Sequence, residues 1–126
     1  MLRRLRPIAA VTLLAALAAC GGSDGATTTT TVGCKDAAEG TVTLVADDLR
    51  WDTDCLRAGP GELTIEVDNA DDGVNHNVHL PEAPDSPATE LEPGPNTQSL
   101  DVTLTPGSYE YVCDLHPNMV GTLTVG

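Results

Sequence analysis

A short segment near the C-terminus, Cys113–Met119 (CDLHPNM), contains a thiol, an imidazole and a thioether at three-residue intervals. One turn can therefore aim the side chains of Cys113, His116 and Met119 at a common point. A thiolate and a thioether favour Cu(I), an imidazole binds Cu(I) and Cu(II), and a trigonal His₂Cys set with a weak Met ligand suits both states. The segment predicts a copper site that needs one more histidine.

The missing histidine is predicted in the segment Val74–Leu80 (VNHNVHL), which alternates with a period of two. His76 falls on the same face as the aliphatic residues of this segment, and an unpartnered imidazole buried there would be costly. We therefore predict His76 as a metal ligand. His79 has the opposite parity and is predicted to face solvent.

The elements that must position these residues are predicted to be β-strands. Apolar residues alternate with polar ones in Thr41–Ala46, Glu62–Asn69 and Thr97–Leu104. Five prolines between Pro81 and Pro95 predict a long irregular loop. About seven to eight short strands with turns between them, and no helical periodicity, predict an all-β fold, a Greek-key β-sandwich.

The chain has four cysteines, and they have different predicted roles. Cys34 and Cys55 are predicted to form a disulfide that stabilises a small, mostly aliphatic core, which leaves Cys113 free for a metal. The alternative is that Cys113 pairs with one of the other two.

The N-terminus predicts export. Residues 1–19 combine basic residues with an apolar stretch too short to span a bilayer, as in a signal peptide. Leu17–Cys20 (LAAC) resembles the lipobox of bacterial lipoproteins, in which the cysteine is lipidated, although an ordinary signal peptidase site also fits. We predict that Cys20 anchors the protein in a lipid bilayer outside the cytoplasm, that residues 20–33 are a flexible linker, and that residues 34–126 are the folded domain.

The charge balance restricts the partners. Removal of the signal segment leaves three basic and nineteen acidic residues, a net charge of −16. Such a chain is a poor ligand for nucleic acid or anionic lipid, so no nucleic-acid partner is expected. The acidity favours either simple solubility or association with a basic docking face on a partner protein.

The segment GSYEYVCDLHPNMVGTLTV, together with the upstream VNHNVHL, resembles the small blue copper proteins, the cupredoxins, in particular amicyanin- and plastocyanin-like members. The resemblance extends from about Thr41 to Val125. It implies one type 1 copper, held by His76, Cys113 and His116 with Met119 as the axial ligand, and one-electron transfer between redox partner proteins.

The resemblance also implies roles around these ligands. Asn77 matches an Asn that helps to fasten the two ligand-bearing segments, and His116 matches the surface histidine through which electrons leave. Asp114 departs from the family pattern, and a carboxylate at this position is expected to stabilise Cu(II) and lower the reduction potential.

Three other functions fit the sequence less well. A copper buffer or delivery protein would use the same ligands but would need exchangeable Met or His nearby, and Met1 and Met119 are the only methionines. An enzyme is not expected, because the chain has no His-x-His pairs for further copper ions and no nucleophile elbow. A metal-free sandwich would leave a reactive thiol unexplained.

Overall fold

The computed structural model describes residues 33–126, so the predicted signal segment, Cys20 and nearly all of the linker lie outside the described residues. Ten strands make up the described fold. They are β1 (Lys35–Asp36), β2 (Thr41–Asp47), β3 (Arg50–Trp51), β4 (Cys55–Ala58), β5 (Gly61–Asn69), β6 (Asn75–His76), β7 (Glu92–Pro93), β8 (Asn96–Leu104), β9 (Gly107–Cys113) and β10 (His116–Val125). The all-β prediction is confirmed. Four of these strands, β1, β3, β6 and β7, have only two residues, which is why the predicted number was lower.

The strands form two four-stranded sheets and one small ribbon. One sheet has the order β1-β4-β10-β9, the other has the order β3-β2-β5-β8, and β6 pairs with β7. β9 and β10 pair antiparallel, β5 and β8 pair antiparallel, and β2 and β5 pair parallel. No helix in residues 33–126 has the length and apolar character needed to cross a membrane.

The core lies between the two large sheets and follows the predicted alternation. In β5, the residues Leu63, Ile65 and Val67 are buried, whereas Glu62 and Asp68 are exposed. Strands β2, β8, β9 and β10 contribute in the same way, with the buried residues Val42, Leu44, Leu100, Leu104, Tyr111, Leu123 and Val125. Period-two alternation buries one face of each strand and thereby fixes its register.

The predicted disulfide is present between Cys34 and Cys55, and Cys113 is a free, buried cysteine. The alternative pairing of Cys113 is therefore wrong. A cross-link over a sequence separation of 21 residues stabilises the fold by about 3 kcal/mol in the chain-entropy model.

The segment Val74–Leu80 differs from the full strand that its alternation suggests, because only Asn75–His76 has strand pairing. Beyond it, His79 exchanges two backbone hydrogen bonds with Val112 of β9, and Thr89 bonds Val78 through its backbone N–H and its hydroxyl. The proline-rich loop after this segment lacks several N–H donors, so a regular ladder cannot continue there. His76 therefore lies in the short paired part of this segment, whereas His79 lies beyond it, where the backbone bonds to β9.

Candidate metal centre

Three ligand-type side chains meet at one end of the sandwich, where β9 stops. Cys113 is the last residue of β9, and a two-residue turn leads to His116, its cross-strand partner in β10. His76 comes from β6 on the other side. The Nδ1 atoms of His76 and His116 lie 3.7 and 3.5 Å from Cys113 Sγ. All three ligand atoms lie within 4.8 Å of one another.

These separations fit a small metal ion. Metal–thiolate and metal–imidazole bonds of about 2.3 and 2.0–2.1 Å, set at angles of about 110–120°, put sulfur and nitrogen about 3.5–3.8 Å apart. The distances of 3.5 and 3.7 Å match this range. The donor set of two imidazoles and one thiolate suits copper.

Met119 completes a compact group at the base of the site. Its side chain is fully buried and packs with Cys113 and Ala46, and Trp51 lies against the same cluster. An irregularity in the β9–β10 register between His116 and Val120 sets this part of the loop apart from the regular ladder. The loop therefore directs the Met119 side chain into the protein, next to Cys113.

The four side chains of the site differ in how far they are buried. His76, Cys113 and Met119 are 1, 3 and 0% exposed, whereas His116 is only half-buried. Next to it, Leu115 is 51% exposed. The protein covers three of the four side chains, so the site meets solvent at the His116 edge.

His76 is held from behind by a carboxylate. Asp71 Oδ2 lies 2.7 Å from His76 Nε2, and Asp71 also accepts N–H bonds from Asp48 and Leu49. The N–H of Leu49 first, and then His76, hold the pKa of Asp71 below its ordinary value. An ionised carboxylate can only accept, so Nε2 carries a proton. In the neutral imidazole this arrangement leaves the lone pair on Nδ1, which faces the Cys113 sulfur.

Asn77 connects the two ligand-bearing segments. Its Oδ1 accepts the backbone N–H of Asp114 at 3.0 Å, and its Nδ2 donates to the Asp114 carboxylate at 2.8 Å. Asn77 is buried and follows His76 directly, while Asp114 follows Cys113. These bonds fix the spacing between the segments that carry His76 and Cys113.

His79 is not free in solvent, which corrects the sequence prediction. Its Nδ1 lies 2.7 Å from Asp114 Oδ1, its Nε2 lies 2.7 Å from Ser86 Oγ, and its side chain is 22% exposed. Asn77 first, and then His79, lower the pKa of the Asp114 carboxyl. Strand parity gave the correct face for His79, but it could not show that a loop residue and a turn residue cover that face.

Sequence reasoning missed one residue at the centre itself. The sequence prediction assigns no role to Asp71, although this residue contacts the buried Nε2 atom of His76. The available signal was a carboxylate five residues before a predicted ligand histidine, within a turn that brings the chain back.

Several solved structures of known proteins have a fold similar to that of this chain. Solved structures with a similar fold include a reduced variant of amicyanin (26% identity, TM-score 0.54, 71% of this chain and 86% of that chain). A second amicyanin variant in the Cu(I) form has 25% identity and a TM-score of 0.54, and covers 71% of this chain and 85% of its own. Dithionite-reduced auracyanin from Roseiflexus castenholzii shares the fold at 19% identity and a TM-score of 0.62, over 71% of this chain and 99% of that chain. No curated protein sequence matched.

The family assignment rests on most of the chain. Residues 8–125 match the family model described as the cupredoxin-like domain. This match and the His–Cys–His cluster support one type 1 copper as the cofactor. The chain therefore belongs to the cupredoxin-like family of small blue copper proteins.

Proposed function

We propose that this protein is a one-electron carrier that is tethered to a bacterial membrane and works outside the cytoplasm. The observation that carries the proposal is the approach of two imidazole Nδ1 atoms to the buried Cys113 sulfur at 3.5 and 3.7 Å. The family and its amicyanin neighbours support the general class, a copper electron carrier. The four ligands in this proposal are His76, Cys113, His116 and Met119.

Bound copper supplies a centre that can exchange one electron between Cu(II) and Cu(I). The chain's own residues supply fixed ligands and a dry surrounding. Burial of Met119 and His76 keeps water away from the inner side of the site. The half-buried His116 lies at the edge of the site where a docked partner would exchange an electron with the copper.

The surface charge supports a partner with a basic docking face. Of the nineteen acidic residues, only Asp24 lies outside residues 33–126. Every Lys and Arg side chain in the described part of the chain is already paired with an aspartate. The pairs are Lys35 with Asp52, Arg50 with Asp48, and Arg57 with Asp36. Such a surface speeds association with a cationic protein, and salt weakens the effect.

The apolar residues beside the ligand loop offer a small contact area within this acidic surface. Leu115 is 51% exposed and Leu49 is 43% exposed. Leu49 also accepts a hydrogen bond from Asn118 of the ligand loop. Because Leu115 directly precedes His116, a partner that covers Leu115 would lie beside the exposed edge of His116.

The tether is part of the proposal through its sequence signals alone. A lipidated Cys20 would hold the domain by residues 21–33, and a flexible linker of this length has an end-to-end distance of about 20 Å. The domain could then reach partners near the membrane surface. Lipid labelling of the full chain and of Cys20→Ala tests this part, and equal labelling of the two chains would exclude the anchor.

The copper site is tested by spectroscopy. The chain without its signal segment is loaded with Cu(II), and its visible absorption and electron paramagnetic resonance spectra are recorded beside those of Cys113→Ser. We expect an intense thiolate-to-copper band and narrow hyperfine splitting, both lost in the variant. A weak spectrum that does not depend on Cys113, or immediate bleaching with retention of Cu(I), would favour copper storage or delivery instead.

A further inference from the structure

The turn between β2 and β3 has an unusual backbone that needs external support. Asp48 and Leu49 have φ angles of +52° and +58°, although neither residue is glycine. The left-handed conformation costs roughly 1–2 kcal/mol for each such residue, and two-residue hairpin turns of this kind usually contain Asn-Gly. The structure must therefore hold this turn from outside.

Asp71 provides that support. Its Oδ1 accepts the N–H of Asp48 at 2.7 Å, and its Oδ2 accepts the N–H of Leu49 at 3.0 Å. The backbone N–H of Asp71 in turn donates to Asn69 Oδ1, and the Asn69 side chain is 1% exposed. Hydrogen bonds therefore hold both the carboxylate and the backbone of Asp71, so the fold determines the direction in which the carboxylate points.

The same carboxylate contacts His76. Asp71 Oδ2, 2.7 Å from His76 Nε2, is the atom that also accepts the Leu49 N–H. The Asp71 side chain is 13% exposed and the His76 side chain is fully buried. A hydrogen bond between a carboxylate and a buried imidazole is little weakened by solvent.

The turn also contacts the other ligand segment. Asn118, which lies between His116 and Met119, donates its Nδ2 to the Leu49 carbonyl at 2.9 Å. The Leu49 peptide group thus faces Asp71 on one side and the ligand loop on the other. One turn, held by one carboxylate, connects the two parts of the metal centre.

We propose that Asp71 is a positioning residue for the copper ligand His76, holding its Nδ1 toward the metal and favouring Cu(II) over Cu(I). This inference rests on the proposed function, because it assumes that His76 binds copper. The carboxylate keeps the proton on Nε2, which leaves Nδ1 free before the metal arrives. It also raises the basicity of the imidazole, which strengthens its bond to the more highly charged ion.

The chain offers a matched control next to this residue. Asp72 is exposed and makes no side-chain hydrogen bond among the described residues. Asp72→Asn therefore removes the same charge from the same turn without touching His76. Asp71→Ala removes both acceptor oxygens and the charge. Asp71→Asn removes the charge but keeps one acceptor oxygen, which can face His76 and Leu49, while its NH2 group can no longer accept the Asp48 N–H.

The first measurement uses the metal-free protein. Long-range ¹H–¹⁵N NMR spectra report which ring nitrogen of His76 carries the proton. We expect the Nε2–H tautomer in the wild type, in Asp72→Asn and in Asp71→Asn, and a mixture of tautomers in Asp71→Ala. An unchanged tautomer in Asp71→Ala would overturn the positioning role.

The second measurement uses copper. Loss of a partner behind a ligand histidine typically weakens metal binding by about 10–100-fold, so we expect Asp71→Ala to lose about that much Cu(II) affinity and Asp72→Asn less than about twofold. Asp71→Asn should lose more Cu(II) than Cu(I) affinity. A tenfold difference between the two losses raises the reduction potential by about 59 mV.

The outcomes separate this inference from the proposed function. A wild-type protein without a Cys113-dependent copper band would overturn the function, whatever the variants do. A wild-type protein with that band, but with equal potentials and affinities in Asp71→Asn and Asp72→Asn, would overturn only the role of Asp71. If Asp71→Ala does not fold, the comparison of Asp71→Asn with Asp72→Asn decides.

Discussion

The protein contains two aspartate–histidine pairs with the same short contact and different surroundings. Asp71 Oδ2 lies 2.7 Å from His76 Nε2, and Asp114 Oδ1 lies 2.7 Å from His79 Nδ1. The second nitrogen of His76 faces the buried Cys113 sulfur, whereas that of His79 faces the hydroxyl of the exposed Ser86. The carboxylate orients the imidazole in both pairs, and the group at the far nitrogen decides what the imidazole can do.

The difference arises from a separation of three residues in a chain with strand-like alternation. His76 points into the sandwich with Val78, and His79 points toward the proline-rich loop. The opposite parity puts His76 beside Cys113, in the proposed copper centre, and puts His79 between the proline-rich loop and Asp114. The predictions that follow test whether this division of roles is real.

The largest effect is expected from His76→Ala, and His79→Ala is its matched control. His76→Ala should lose the type 1 spectrum and more than 100-fold in copper affinity, because removal of a ligand exceeds the 10–100-fold effect of removing a partner behind it. His79→Ala should keep the spectrum, because its nitrogens contact Asp114 and Ser86. Copper titrations monitored by absorption measure both. Similar losses in the two variants would show that the pairs are not distinct.

A second prediction concerns the backbone that carries Asp71. A Cβ at Gly94 would lie 2.7 Å from Asn69 Oδ1 and closer still to the Asp71 carbonyl. We expect Gly94→Ala to lower the free energy of unfolding by about 1–3 kcal/mol, because backbone must move to admit the methyl group.

Gly59→Ala is the matched control for this substitution, since a Cβ there meets nothing within 4 Å. It should change stability by less than about 0.5 kcal/mol, as is usual at an exposed site. Urea unfolding of the two metal-free variants gives the difference. Equal stabilities would mean that the turn around Asp71 is adaptable and does not fix His76.

A third prediction uses acid to weaken the pair formed by Asp114 and His79, which we call the outer pair. The pKa of Asp114 is lowered in the folded state, chiefly by Asn77 and then by His79. A lowered pKa contributes stability above the unfolded value of about 3.9, and this contribution is lost as the pH falls through the folded value. The stability gap between wild type and Asp114→Asn should therefore narrow below about pH 4.

This measurement is made by denaturant unfolding of the metal-free chains from neutral pH down to acid below the unfolded value of about 3.9. Asp72→Asn serves as the control for the loss of one negative charge. A gap that stays constant over this range would mean that the Asp114 carboxylate gains nothing from Asn77 and His79.

The smallest effect is expected at the far end of the outer pair. Ser86→Ala removes the hydroxyl that contacts His79 Nε2. The site is exposed, so the free energy of unfolding should fall by about 0.5–1 kcal/mol, and the copper spectrum should not change. Thermal unfolding and absorption spectra measure the two quantities. A shifted copper band would show that the loop reaches the metal through Asp114.

Local pattern was sufficient for the elements and for the sulfur-bearing loop. The alternation in β5 predicted which of its residues are buried, and the spacing of Cys113, His116 and Met119 led us to expect that His116 and Met119 approach Cys113, as they do in the structure. These features depend on periods of two or three residues, which a sequence displays directly. The disulfide between Cys34 and Cys55 followed from the number of cysteines.

Contacts between distant turns could not be predicted in the same way. Asp71 bonds the backbone of Asp48 and Leu49, more than twenty residues away, and nothing in either segment marks the other as its partner. His79 meets Asp114 across 35 residues. Such bonds depend on how the strands pack, so they appear only once the two sheets are assembled.

The turn at Asp48–Leu49 has a consequence for how metal enters the protein. Leu49 is bonded to Asp71 through its N–H and to Asn118 through its carbonyl, and the side chains of His76, Cys113 and Met119 are already buried. Uptake of copper into a centre organised in this way buries almost no additional apolar surface. Calorimetry of metal binding should therefore give a heat-capacity change close to zero, because that quantity follows the apolar area removed from water.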